Sequence, residues 1–246
     1  MAQKGEKHSP LEQFEIIPFV EIKSGNFDLS VTNSTISMII TFLIITIFLT
    51  LSVNTRSLIP SRIQLVSELM YNFVAQLLKD TVGNDGKKYF PFVFSLFMFI
   101  LIGNMVGMIP YNFTFTSHII VTFTLAAIVW IGTTFLGFYK HGLHFFSFFY
   151  IPGLPWYMLP LLIPIEVISY LSRPISLSVR LFANMLAGHT LIKVFAGFVV
   201  TLGFAGVLPL AFIVALTGLE ILIAFLQAYV FAILTCLYIN DALNLH

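Results

Sequence analysis

Charge is the scarcest commodity in this sequence: Asp, Glu, Lys and Arg together make up 9% of its 246 residues. A soluble domain carries roughly a quarter of its residues charged, so a soluble globular protein is excluded. The net charge of +1 singles out no charged partner, and no nucleic acid is expected. There is one cysteine, Cys236, which rules out an internal disulfide and carries no metal signature. Period-2 alternation is absent, so the apolar stretches do not read as strands of a membrane barrel. Lys87 and Lys88 follow Gly83-Asn84-Asp85-Gly86, but the glycine and the Ser or Thr that a phosphate loop requires are missing, so this chain is not expected to bind a nucleotide. Neither HExxH nor GxSxG occurs, which removes the common hydrolytic sites. No cofactor and no metal are expected. The first 35 residues are polar and open on no short apolar region with a small-residue cleavage site, so no secretory signal is read. Glu6, Glu12, Glu15, Glu21 and Asp28, with three lysines and no arginine, are the wrong composition for a transit peptide. A mitochondrial location would therefore imply synthesis inside the organelle.

What the chain has is apolar length. Residues AVILMFWYC make up 58% of it and the mean hydropathy is +0.96. The fold class expected is an all-α integral membrane protein: about three upright spanning helices, one amphipathic interfacial helix, and a C-terminal hairpin of two long, strongly tilted helices. Residues 1–35 form a polar tail and 36–246 a single membrane domain. Residues 36–53 are about long enough to cross hydrocarbon and carry no charge. Over 62–80, Ile63, Val66, Leu69, Met70, Phe73, Val74, Leu77 and Leu78 recur at helical spacing between polar residues, with Ser61 and Gln64 spaced as a capping box. That helix belongs in the interface or against other helices. Spans follow over 91–110 and 118–139, joined by a Pro110-Tyr111-Asn112 turn, and Gly103 with Gly107 makes a small face suited to close helix packing beside Asn104. Residues 157–200 and 207–243 are then two helices about 60 Å long at 1.5 Å per residue, twice the hydrocarbon thickness, so they must tilt, bend at Pro160, Pro164 or Pro174, or run near the membrane plane. Gly203-Phe204-Ala205-Gly206 turns one into the other. Arg56, Arg62, Lys79, Lys87, Lys88 and Lys140 fall in connectors on one side, taken as the inside, with the tail outside. His141 and His144 lie in the same basic connector and read as interfacial.

The long hairpin also holds most of the polar residues found at membrane depth. A charge at the bilayer centre costs roughly 2.5 to 3.5 kcal/mol, so Arg180 is not there without use or compensation. Glu166, Arg173, Arg180 and Asn184 project within about 40° of one direction on the first long helix, and His189 projects to the opposite side. On the second, Glu220, Gln227, Tyr238 and Asp241 project within about 60° of one direction. Because the turn makes the helices antiparallel, His189 and Glu220 stand at comparable distances from it and are placed to relay a proton. Alternatives stay open residue by residue. Gln227 and Asn184 also suit interhelical hydrogen bonding, Arg173 also suits snorkelling to the interface, and Asp241 also suits water. Ala183, Ala187, Gly188, Ala196 and Gly197 thin the helix near Arg180 enough for a partner helix to reach the guanidinium.

Ser-Leu-Ser-Val-Arg-Leu-Phe-Ala-Asn-Met-Leu-Ala-Gly-His over 176–189, Leu219-Glu220, Leu226-Gln227-Ala228-Tyr229-Val230-Phe231, Gly-Met-Ile-Pro over 107–110 and Tyr238-Ile239-Asn240-Asp241 resemble subunit a of the rotary F-type ATP synthase, called subunit 6 in mitochondria. In many bacterial members an acid stands where His189 is and a histidine where Glu220 is. The reverse order here resembles mitochondrial members, which implies the mitochondrial inner membrane, with the bacterial plasma membrane as second choice. The resemblance implies a proton-conducting stator with two offset half-channels set against a rotating ring of c-type proteolipid subunits. Peripheral-stalk and other membrane subunits and the lipid bilayer are the further partners. Arg180 would be the essential arginine. His189, Glu220, Asn184, Gln227 and Asp241 would serve the outer channel, Glu166 the exit on the inner side, with Arg173 and Tyr238 as further candidates. The chain would not be an enzyme on its own. The competing class is a proton-coupled secondary transporter, against which stands the lack of an inverted repeat with paired broken helices.

Overall fold

The structure, a computed structural model, describes residues 16–20, 23–24, 27–28, 30–54, 60–109, 112–142, 144–145 and 159–244. Most of the polar tail, with Glu6, Glu12, Glu15 and Glu21, lies outside these, as do Arg56, Pro110 and Tyr111. In the described part of the tail, β1 (Pro18–Val20) pairs antiparallel with β4 (Val31–Thr32), and β2 (Lys23–Ser24) with β3 (Phe27–Asp28). Strands of two or three residues are too short to leave an alternation in the sequence, so a polar tail was all that could be read there.

Six helices follow. α1 (Asn33–Asn54) starts three residues ahead of the expected 36, because Thr32 Oγ1 accepts the Thr35 amide and caps the first turn. Three of its hydroxyls are satisfied within the helix: Thr41, Thr46 and Thr50 donate to the carbonyls of Ser37, Phe42 and Thr46. That pairing is what allows hydroxyls in a span where water is absent.

α2 (Arg62–Val82) is capped by Ser61, whose hydroxyl accepts the Gln64 amide. The expected capping box is only half formed, since the Gln64 side chain reaches forward to Glu68 Oε1 at 2.8 Å. The apolar stripe splits between two surroundings. Val74, Leu77, Leu78 and Val82 are buried, and Phe73 packs on Phe97, Phe225 and Tyr229, whereas Ile63, Leu65 and Leu69 stay exposed. α2 therefore seats against α3 and α6 along its second half. Gly83, at φ 78°, ends it, and a 3₁₀ turn over Asn84–Tyr89 leads into α3 (Phe90–Gly107).

α3 is the most enclosed helix: Val93, Phe97, Ile100 and Asn104 are fully buried. Its last carbonyls draw side-chain donors from the connector that follows: Asn112 Nδ2 donates to Val106 O at 2.8 Å, beside the Ile109 amide at 3.2 Å, and Thr114 Oγ1 to Gly107 O at 3.0 Å. The Gly103 and Gly107 face is filled by that same connector and not by a neighbouring helix. A Cβ on Gly103 would lie 2.4 Å from the Phe115 ring, and one on Gly107 2.6 Å from the Thr114 methyl. Spacing alone reveals that something approaches closely; it does not say what.

α4 (Ile119–His141) leads to α5 (Leu159–Leu202) and α6 (Val207–Leu243), the two long helices, joined by a 3₁₀ turn over Gly203–Gly206 with Gly203 at φ 55°. At 44 and 37 residues they measure roughly 66 and 56 Å. Among the described residues, four stretches are apolar and long enough to cross a membrane: Asn33–Val53, Asn84–Gly107, Ile119–His141 and Pro160–Leu243. The ends of the bundle are pinned differently. At one, Ser37 Oγ donates to Phe113 O, holding the start of α1 on the α3–α4 connector. At the other, Lys140 Nζ donates to Leu243 O at 2.9 Å with the His141 ring beside it, a cation on the negative end of α6.

Candidate functional site on the long hairpin

Two polar clusters form where α5 and α6 face each other, and one exposed charged residue, Arg180, lies between them with its charge felt at Tyr238 of the second. The first cluster centres on His189 and Glu220. His189 Nδ1 lies 3.5 Å from Glu220 Oε1, within ion-pair range but long for a hydrogen bond, and Oε1 is otherwise buried without a hydrogen-bond partner among the described residues. Glu220 is 4% exposed. It fits there because Gly188 has no side chain: a Cβ at that position would stand 2.6 Å from Oε1. One of the small residues expected to admit a partner helix to Arg180 thus admits a carboxyl group of this chain. On the far side of the ring, His189 Nε2 lies 3.1 Å from Thr114 Oγ1 in the α3–α4 connector. Lys193, one helical turn on, adds a positive charge near the ring.

One turn along α6 from Glu220, Asn104 Nδ2 donates to Ala224 O at 3.4 Å, while its Oδ1 is buried and unpaired among the described residues. Gln227 is buried on the same helix and Asn184 is half-buried on α5.

The second cluster holds Arg173, Asp241, Tyr170 and Tyr238. Arg173 Nη1 donates to Asp241 Oδ2 at 2.8 Å, with the side chains 22% and 28% exposed. The guanidinium carbon lies 5.3 Å from the Tyr170 ring centroid and 5.1 Å from that of Tyr238. Tyr170 OH is hydrogen-bonded to Thr134 Oγ1 at 2.5 Å, which ties α4 into the same cluster. Neither snorkelling for Arg173 nor bulk water for Asp241 describes what is found: each is the other's partner.

Arg180 stands at the middle of α5 between the two clusters, with its side chain exposed. Among the described residues no carboxylate lies within ion-pair distance of it. Its neighbours Leu177, Leu181 and Met185 are buried and project to one side of it, about 60° to 140° round the helix, where they anchor α5 against the bundle. The four-residue stripe over Glu166, Arg173, Arg180 and Asn184 is thus divided, Arg173 turning to α6 and Arg180 away from the bundle. Small angular offsets and Pro174, one residue after Arg173, separate positions that an ideal helical wheel superposes. Glu166, two turns before Arg173, is half-buried.

Thr114 and Asn104 as neighbours of the pair were not found from sequence. Thr114 sits in an aperiodic connector, where no spacing rule applies. Packing is the role expected of Asn104 ahead of transport, and its bond is to an α6 carbonyl that no side-chain pattern marks.

These features define a class: a multi-pass helical membrane protein whose tilted terminal hairpin carries ionisable groups at membrane depth, some paired within the chain and one turned out of it. The sequence pattern of the ATP synthase A chain family matches residues 35–240. ATP synthase subunit a of Pelagibacter ubique is 59% identical over 240 residues, covering 97% of this chain and 98% of that protein. The subunit a of Mesorhizobium japonicum is 58% identical over 247 residues, with 97% and 98% covered, and that of Rhodospirillum rubrum 53% over 240, with 97% and 100% covered. The chain belongs to the ATP synthase A chain family. It is a proton-conducting subunit of that enzyme's membrane sector, partners other subunits there, and is not itself catalytic. These relatives are bacterial, so the mitochondrial setting expected from the order of His189 and Glu220 finds no support among them.

Proposed function

We propose that this chain is the stator against which a ring of proteolipid subunits turns, and that Arg180 is the fixed charge that meets each ring carboxylate. The observation that carries this reading is the exposure of Arg180 at mid-helix with no carboxylate of its own chain in reach among the described residues. An unpaired guanidinium facing lipid costs several kcal/mol, whereas one facing a mobile carboxylate is compensated and holds that group in its charged form. A fixed cation there also separates two aqueous half-channels, because a ring acid beside it releases its proton before passing. His189, Glu220, Asn184 and Gln227 serve the channel that opens at the connector end. Glu166 and the Arg173–Asp241 cluster with Tyr238 line the other. That assignment moves Asp241 from the outer to the inner channel, since it stands two residues before Leu243, whose carbonyl accepts from Lys140 at the basic end of the bundle.

The exposed apolar residues of α5 and α6, among them Val200, Leu208 and Val214, suit a flank covered by other membrane subunits, including those of a peripheral stalk. The membrane we assign is a bacterial plasma membrane, with the basic end inside, following the origin of the relatives. A proton-coupled secondary transporter is not favoured. A density map of the assembled complex tests the reading: a proteolipid carboxylate is expected opposite Arg180, and lipid alone at that position would end it.

A further inference from the structure

We infer that Thr114 is a positioning residue that fixes the tautomer of His189, so that Nδ1 is the nitrogen that exchanges a proton with Glu220. This rests on the reading of His189 and Glu220 as a proton path.

The argument starts from one hydroxyl with one proton. Thr114 Oγ1 lies 3.0 Å from Gly107 O and 3.1 Å from His189 Nε2. A carbonyl oxygen only accepts, and among the described residues Gly107 O, at the end of α3, accepts from Thr114 and from no backbone amide. The connector donates likewise to the preceding carbonyl, Val106 O, which accepts Asn112 Nδ2 at 2.8 Å beside the Ile109 amide at 3.2 Å. Thr114 is 5% exposed, and leaving the carbonyl unpaired there costs more than a favourable tautomer elsewhere gains. Its proton is therefore committed to Gly107 O, and its lone pairs face the ring. Nε2 must then carry a hydrogen and donate it to Thr114.

With Nε2 protonated, the neutral ring has its basic lone pair on Nδ1, the atom 3.5 Å from Glu220 Oε1. When Glu220 carries a proton, it moves from Oε1 to Nδ1: the O–H bond breaks, an N–H bond forms, and carboxylic acid plus imidazole becomes carboxylate plus imidazolium. The reverse step restores the first state. Nε2–H stays on Thr114 throughout, so the ring exchanges at one nitrogen and does not pass a proton across itself. The gap closes from 3.5 Å during transfer, as such bonds tighten when the reacting state forms. Among the described residues, Glu220 on α6 and Lys193 on α5 bring charge to the ring.

The test uses the assembled ATP synthase in vesicles, with ¹⁵N-labelled histidine. In the unaltered complex, at a pH where the ring is neutral, the His189 signals are expected to report hydrogen on Nε2 and a bare Nδ1; hydrogen on Nδ1 overturns the inference. Thr114→Ser keeps the hydroxyl and is expected to conduct protons within about twofold of the parent, while the isosteric Thr114→Val loses on the order of tenfold and shows mixed tautomers. A valine variant that assembles and conducts normally overturns the inference. If that variant fails to assemble, the spectrum of the unaltered complex decides alone. His189→Ala separates the two levels: normal conduction in that variant removes the proton path itself, whereas a dead His189→Ala beside a fully active Thr114→Val removes only the role of Thr114.

Discussion

Arg173 and Arg180 are seven residues apart on one helix and project within about 20° of each other on an ideal wheel, yet they meet opposite fates. Arg173 is held between two tyrosine rings and bonded to Asp241 of its own chain at 2.8 Å. Arg180 is turned out of the bundle without such a partner among the described residues. The first charge is neutralised when the chain folds, and the second is left for something outside the chain to neutralise. An internally paired cation braces helices; an externally directed one is available for a partner that comes and goes.

The variants that break this contrast rank by size. Arg180→Ala removes the outward charge and is expected to lower proton-driven ATP synthesis by on the order of 100-fold or more, with assembly retained, as read by synthesis in vesicles beside the amount of assembled complex. Normal synthesis in that variant would return Arg180 to a packing role. Glu220→Gln keeps shape and removes the exchanging proton, and passive proton conduction through vesicles stripped of the soluble head should drop by on the order of 10-fold to 100-fold. Gly188→Ala tests the same site from its wall. The new Cβ would sit 2.6 Å from Oε1, so the carboxyl must move, and a several-fold loss of conduction with intact assembly is expected, roughly 1 kcal/mol of barrier. An unchanged rate would mean that the carboxyl position in the notch is not needed.

The paired arginine should matter in a different currency. Asp241→Asn leaves Arg173 its ring contacts but not its charge partner, and is expected to lower the thermal midpoint of the complex by about 2–4 °C, corresponding to about 1 kcal/mol for a partly exposed pair. Exchanging the two charges, Arg173→Asp with Asp241→Arg, should recover part of that loss, whereas no such exchange can exist for Arg180 within this chain. The smallest effect is expected at His118, stacked on Phe113 at 5.0 Å at the head of α4, where burial lowers its pKa below 6.5. Because the folded state binds the proton less readily than the unfolded one, the ring favours folding above pH 6.5, and that contribution fades as pH falls below it. Hydrogen exchange of the connector amides should speed up slightly on acidification, and His118→Phe should remove the dependence.

Much of the scaffold was legible from residue order. α2 runs Arg62–Val82, α6 Val207–Leu243 and α5, among the described residues, Leu159–Leu202, against the 62–80, 207–243 and 157–200 expected. His189 and Glu220 meet because antiparallel helices bring residues equally far from their turn to one level. Where the reading fell short, the residues involved are those with no period. Thr114 and Phe115 fill the glycine face of α3 from a connector, and Gly188 receives a carboxyl in place of a helix.

Apolar length and the rarity of charge determined from sequence alone that the chain lives in a membrane and which few ionisable residues carry a cost needing explanation. Those are properties of residue type and spacing, which survive whatever the helices later do. Only tertiary structure decided how the costs are met. Asp241, 68 residues from Arg173, takes one cation, and a threonine 75 residues from His189 takes one face of its ring. Pairing of this kind depends on angstrom-scale approach between segments distant in sequence, and no local pattern encodes it.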